Sequence, residues 1–278
     1  MKHLSFQDRW VIVTGASSGL GHAIAWRLAT VEHARVIVVA RREDRLQELC
    51  GQVAAAGGTA RALAYDLCEP GAARAVLEGA TQIAAGVPFA LVNNAGVTWY
   101  GRFTEMPDGE ADRIIDLNIR ATIGLTRAFV AGHGTDARGA TDDRARVGAG
   151  EPRAAILTVT SLGAHVPVPY QAVYAASKHA LQAFSESIAM ELREERFVVS
   201  TVEPGGIETE MISNAGLHGR FSPRALASGE SVAAAALRSW KRGRLGSVPG
   251  VGNRLAALAA RILPRRVVAA ASERLFRP

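Results

Sequence analysis

Residues 10–21 read Trp-Val-Ile-Val-Thr-Gly-Ala-Ser-Ser-Gly-Leu-Gly. The first five are aromatic or β-branched, a short apolar run that suits a strand covered on both faces. Gly15, Gly19 and Gly21 follow, and a helical pattern then runs through 20–32. A glycine-rich turn between strand and helix lets the backbone bend sharply and approach a pyrophosphate, whose charge is favoured at a helix N-terminus. The spacing differs from the commoner G-x-G-x-x-G, but the strand before it and the helix after it are the context that such a cradle requires. Gly15, Ser17, Ser18, Gly19, Leu20 and Gly21 are the candidate phosphate-binding residues.

The alternation continues along the chain. Strand-like runs at 10–14, 35–40, 60–65, 89–93, 154–160, 198–203 and 245–248 alternate with helical patterns near 20–32, 44–56, 71–85, 109–131, 172–195 and 231–240. Continuous apolar strands separated by helices predict an α/β fold, a doubly wound parallel sheet of about seven strands with helices on both faces. A chain of 278 residues with 48% hydrophobic content fits a single Rossmann-type domain over 1–278. Residues 132–152, rich in Gly, Ala, Asp and Arg, have no apolar period and read as an exposed, mobile insertion. Residues 249–278 read as a basic helical extension, two helices over 252–263 and 265–276 broken at Pro264.

Composition excludes several classes. Cys50 and Cys68 have neither disulfide nor metal spacing, and the seven histidines form no His-x-x-x-His pair, so no metal is expected. The first ten residues have no apolar signal region and no run approaches a membrane span, so a cytoplasmic protein is expected. Residues 241–278 hold nine basic residues and one acid, Glu273, leaving −2 of the total +6 for the first 240 residues. The body is nearly neutral, which argues against nucleic-acid binding.

Where the second strand ends, a carboxylate would accept from the 2′-hydroxyl of NAD, but the chain has Ala40-Arg41-Arg42. A forked guanidinium matches a 2′-phosphate, so NADP(H) is the expected cofactor. With these residues the chain resembles the short-chain dehydrogenase/reductase family over roughly residues 8–211. The landmarks stand in order: T-G-x-x-x-G-x-G at 14–21, Asp66-Leu67, N-N-A-G at 93–96, Asn118, Ser161, Tyr174-x-x-x-Lys178, and P-G-G-I-E-T at 204–209. The resemblance implies that Asp66 and Leu67 hold the adenine. Asn93, Ala95 and Gly96 would lie along the ribose and fourth strand, and Pro204, Gly205, Ile207 and Thr209 at the nicotinamide. It also puts Arg41 at the position that selects NADP, with Arg42 in support.

The chain has three lysines among 32 basic residues, and Lys178 stands one helical turn beyond Tyr174. A phenol of ordinary pKa near 10 is a poor acid–base catalyst at neutral pH, and a neighbouring ammonium moves it toward working pH. Lys178 can also donate to the nicotinamide ribose. Ser161 would hydrogen-bond the substrate oxygen as charge develops, and by the resemblance Asn118 holds a relay water. His165 reads as structural.

The expected activity is hydride transfer between NADP(H) and an apolar ketone, aldehyde or secondary alcohol. Substrate selection falls to 97–103, 162–170 and 210–222, with Trp99, Tyr100, Val166, Val168, Met211, Ile212 and Leu217. The other readings are a non-catalytic NADP-sensing regulatory protein, and a membrane-surface interaction protein acting through 249–278. In the tail, Leu255, Leu258, Ile262 and Leu263 fall on one side, expected to pack on the body or on another subunit. A homo-oligomer, dimer or tetramer, is expected.

Overall fold

The computed structural model describes residues 3–134, 151–208, 210 and 226–277. Seven strands, β1 (Trp10–Thr14), β2 (Arg35–Ala40), β3 (Thr59–Ala64), β4 (Ala90–Asn93), β5 (Ala154–Val159), β6 (Phe197–Val202) and β7 (Gly246–Ser247), pair in one sheet. Its order is β3-β2-β1-β4-β5-β6-β7, every pair parallel. This is the doubly wound sheet that the apolar runs predict.

Side chains alternate across the sheet. Val11 and Val13 pack toward α1 (Gly19–Thr30), α2 (Glu43–Ala55) and α7 (Gly229–Lys241), through residues such as Ile24, Leu49 and Trp240. Ile12 faces the opposite layer, with α3 (Ala72–Ala84), α5 (Thr122–Gly132) and α6 (Ala172–Glu191). The crossovers diverge between β1 and β4, and in such sheets the crevice outside the strands' carboxyl ends binds ligands.

Several boundaries differ from expectation. The helix expected over 109–131 is α4 (Glu110–Ile115), a π-helical turn (Asp116–Ala121) and then α5. The last helix before β6 ends at Glu191, not 195, because the chain must reverse into β6. It does so with Arg196 at φ 63 and the Phe197 amide donating back to Leu192. α7 starts at Gly229 because Ser228 caps it, accepting from the Ser231 amide at 3.2 Å. β7 is two residues long, entered by Gly243 at φ 62 and followed by Pro249, which has no amide to extend a ladder.

Past β7 the tail forms α8 (Val251–Ile262) and α9 (Arg265–Phe276), with Pro264 between them. Most of the 132–152 insertion, Thr209 and the residues Met211, Ile212 and Leu217 lie outside the described residues.

Candidate active site

The carboxyl ends of the central strands open into one cleft of about 960 Å³, with Arg41 and Arg42 at one end and the tail helices at the other. Its floor is braced from the sequence neighbours of the strands. The Thr14 hydroxyl donates to the Val92 carbonyl and accepts from the amides of Asn94 (3.0 Å) and Ala95 (3.2 Å). Asn94 Nδ2 in turn donates to the carbonyls of Thr14 and Gly15 at 3.0 and 3.2 Å. Gly15, at φ 65, has no room for a side chain: a Cβ there would lie 2.8 Å from Ala95 Cα. Ser18 is the N-cap of α1 yet makes no cap bond; its hydroxyl accepts from Arg42 instead. The N-terminal amides of α1 therefore have no side-chain cap, the arrangement an anion needs.

The arginines are already engaged. Arg42 donates to Ser17 Oγ and Ser18 Oγ, both at 3.0 Å from Nη2, and its Nη2 lies 3.0 Å from Glu210 Oε2. Arg41 Nη1 lies 3.6 Å from Asp66 Oδ2. The Arg42 hydrogen bond holds the Glu210 carboxyl below its usual range. Sequence reading missed Glu210 as a partner of this end, since 168 residues separate it from Arg42 and no local pattern joins them.

Asp66, Leu67, Ala95, Gly96, Pro204, Gly205 and Ile207 all line the cleft. Asn93 does not. It ends β4 on the α5 side, buried, with Nδ2 donating to Thr126 Oγ1 at 2.9 Å; the next residue, Asn94, is the one at the cleft. Alternation along the strand decides this, and the doubled asparagine hides it.

Tyr174 and Lys178 sit on successive turns at the start of α6. Lys178 is 3% exposed, its Nζ 2.9 Å from the Val159 carbonyl that accepts from it and 5.7 Å from the centre of the Tyr174 ring. Burial brings Lys178 down to about 8. Tyr174 goes the other way from the sequence expectation: burial pushes the phenol up, and the Ser161 hydroxyl opposes it. By the protein's own groups Tyr174 is a protonated donor at neutral pH. Ser161 caps a short 3₁₀ turn (Leu162–Ala164) by accepting from the Gly163 amide at 3.0 Å, which leaves its own proton to donate.

Asn118, in the π-helical turn, is wholly buried and committed to the protein. Its Oδ1 accepts from the Val97 amide at 2.8 Å, and Nδ2 donates to the Val97 carbonyl (3.0 Å) and to Ser177 Oγ (2.9 Å). It clamps the Gly96–Val97 backbone beneath Lys178; a Cβ on Gly96 would fall 3.1 Å from Asn118 Oδ1 and 3.6 Å from Lys178 Nζ.

His165 is structural in its surroundings. Its Nε2 lies 2.6 Å from Glu203 Oε2, with both side chains nearly buried. Burial pushes Glu203 up, but hydrogen bonds from His165, Thr201 and Gln182 outweigh it and hold the carboxyl below its usual range. The pair ties the turn after Ser161 to the strand end before Pro204. Among the described residues no cluster of His, Cys, Asp and Glu could hold a metal ion.

The two tail helices form as expected, but they also reach the site, which the sequence did not indicate. Ala256, Ala260, Leu263, Val268 and Ala271 line the cleft, and Tyr100 Oη donates to the Phe276 carbonyl at 2.6 Å. Leu255, Leu258 and Ile262, expected to pack on the body or on another subunit, do not pack on the body: they are 63, 54 and 73% exposed. On α8 and its C-terminal cap the cleft side is held by Asn253, Ala256, Ala259, Ala260 and Leu263, and the other large apolar side chains of the helix face outward.

A family model described as short chain dehydrogenase matches residues 9–218. The chain is 34% identical over 210 residues to a short chain dehydrogenase of Pseudocercospora fijiensis, covering 74% of this chain but only 62% of that protein. It is 32% identical over 256 residues to the 3-oxoacyl-(acyl-carrier-protein) reductase FabG of Escherichia coli, covering 92% of this chain and 91% of the relative. Among solved structures it is similar to a short-chain dehydrogenase from Sphingobium yanoikuyae in complex with NADPH. That match has a TM-score of 0.76 and 26% identity, and covers 91% of this chain and 93% of the other.

Proposed function

The chain belongs to the short chain dehydrogenase family, and from that premise we propose that it is an NADP(H)-dependent oxidoreductase. Its substrate would be an apolar ketone, aldehyde or secondary alcohol. The observation that carries the reading is one cleft with Tyr174 and Ser161 at its wall, Lys178 buried behind them, and two arginines at its far end.

The donor set fits this cofactor. Arg41 and Arg42 would take the 2′-phosphate, the uncapped start of α1 the pyrophosphate, Asp66 and Leu67 the adenine, and Pro204, Gly205 and Ile207 the nicotinamide end. NADPH, when bound, supplies the hydride. Ser161 donates to the substrate oxygen and stabilises the charge that develops there. Tyr174 gives its proton to that oxygen. Lys178 makes the resulting phenolate tolerable, and a water held beside Asn118 would return the proton. In the oxidative direction each proton moves the other way.

No helix among the described residues is long and apolar enough to cross a membrane. The free thiols of Cys50 and Cys68, the latter exposed, fit a reducing compartment, and we place the enzyme in the cytoplasm.

NADPH oxidation over a panel of apolar ketones and aldehydes tests the activity. Inactivity across the panel with NADPH bound would favour a regulatory protein. The cofactor choice has its own test. Arg41→Ala/Arg42→Ala should raise the NADPH dissociation constant about tenfold or more and leave NADH nearly unchanged, because only the former carries the phosphate. Calorimetric titration of both cofactors reads this directly; equal losses would assign the arginines to the fold.

A further inference from the structure

We propose that α8 and α9 form a membrane-docking roof, with the inner face completing the substrate half of the cleft and the outer face resting on an anionic lipid surface. A lipophilic substrate would then pass from the bilayer into the cleft. The substrate half of the cleft and this last step rest on the oxidoreductase reading above; the docking does not.

The two faces are separated by the helical period. Asn253, Ala256, Ala260 and Leu263 of α8 turn to the cleft. Val251, Leu255, Leu258 and Ile262, spaced by four, three and four residues, form a single stripe on the other side. They are 70, 63, 54 and 73% exposed. Ala257 alone in α8 is buried, and no residue of α9 is. Two apolar residues at the cleft, Val267 and Leu275, are themselves more than half exposed, so the apolar lining reaches the surface on the tail.

Charge selects the occupant. Residues 249–278 carry six arginines against Glu273. Arg254 and Arg261 flank the stripe and Arg265 and Arg266 open α9. Among the described residues, Arg261, Arg265 and Arg266 form no ion pair with a carboxylate. A second copy in a two-fold contact would set this cationic surface against itself. An anionic bilayer offers hydrocarbon to the stripe and headgroup charge to the arginines together, as for amphipathic helices that lie in the interface.

The test is sedimentation of the full chain with vesicles of phosphatidylcholine, alone or mixed with phosphatidylglycerol. Binding to the mixed vesicles, weakened by salt, is expected. Leu255→Ser/Leu258→Ser/Ile262→Ser and Arg261→Gln/Arg265→Gln/Arg266→Gln should each lower it about tenfold or more. None of these side chains lines the cleft, so both variants should keep wild-type NADPH binding and reduction of a water-soluble ketone. Reduction of a ketone dissolved in the vesicle bilayer should fall with docking. Equal binding by wild type and variants, or no preference for the anionic vesicles, would overturn the proposal. So would a fall in oligomer size in the serine variant, seen by sedimentation velocity, because a second copy would then cover the stripe. Vesicle binding with no ketone reduced would overturn substrate entry and the oxidoreductase reading, leaving docking intact.

Discussion

Tyr174→Phe is expected to slow single-turnover ketone reduction about a thousandfold while leaving NADPH affinity nearly intact. The substitution keeps the ring on α6 and removes the hydroxyl that carries the transferable proton, and a positioned acid is worth on the order of 10²–10⁴ in rate. The phenol has no other hydroxyl to replace it at the same place: Ser161 is fixed by the Gly163 amide and by the 3₁₀ turn that it caps. Stopped-flow measurement with prebound NADPH separates the chemical step from binding. Near-wild-type turnover would sink the acid–base role and require a different proton donor.

Lys178→Met should do two opposite things, stabilising the protein and removing its activity. The ammonium is buried, and burial brings it from an ordinary 10.5 down to about 8. Below pH 8 the folded chain therefore carries a charge that it would hold more easily unfolded. A shift of this size corresponds to about 3 kcal/mol of destabilisation at neutral pH. Methionine removes the charge but leaves the Val159 carbonyl without its donor, at about 1 kcal/mol. The variant should gain about 2 kcal/mol at neutral pH, measured by denaturant unfolding without added cofactor. Between pH 8 and 10.5 the native lysine loses its proton before the unfolded one, so wild-type stability rises and the gap closes. A variant less stable than wild type at neutral pH would contradict this account. Turnover should fall about a hundredfold or more, since the phenolate loses its nearby cation. Such opposition of stability and function would account for a lysine here in a chain that otherwise uses mostly arginine, whose charge could not be shed.

The sheet was legible because the apolar runs around Val11–Val13, Val36–Val39 and Ile156–Leu157 are continuous, a pattern that only a strand covered on both sides tolerates. The glycine turn and the Tyr174–Lys178 pair were legible because each is local. What escaped depends on distant chain segments. Glu210 meets Arg42 only once the sheet has brought strand ends together. The Asn118 side chain is turned inward by a π-helical turn whose extra residue leaves no mark on the apolar period. The two tail helices and their break at Pro264 were legible, but an apolar period names no partner. It left Leu255, Leu258 and Ile262 to the body or another subunit, and only the folded chain shows Ala256 and Ala260 at the cleft.

All seven strands run the same way, so the loops that line the cleft share one rim and the strands' amino ends lie at the other. The connection between α5 and β5 returns on that amino-end rim, where Glu151 Oε2 lies 3.5 Å from Arg9 Nη2 and the Arg153 amide donates to the Arg196 carbonyl at 2.9 Å. Closing a longer loop costs only about 0.6 kcal/mol for each doubling of its length. A tether to a solid support joined beside Glu151 is therefore expected to cost little and to leave the cleft lining unchanged. The protein held there would keep its cleft and its tail turned toward the solution.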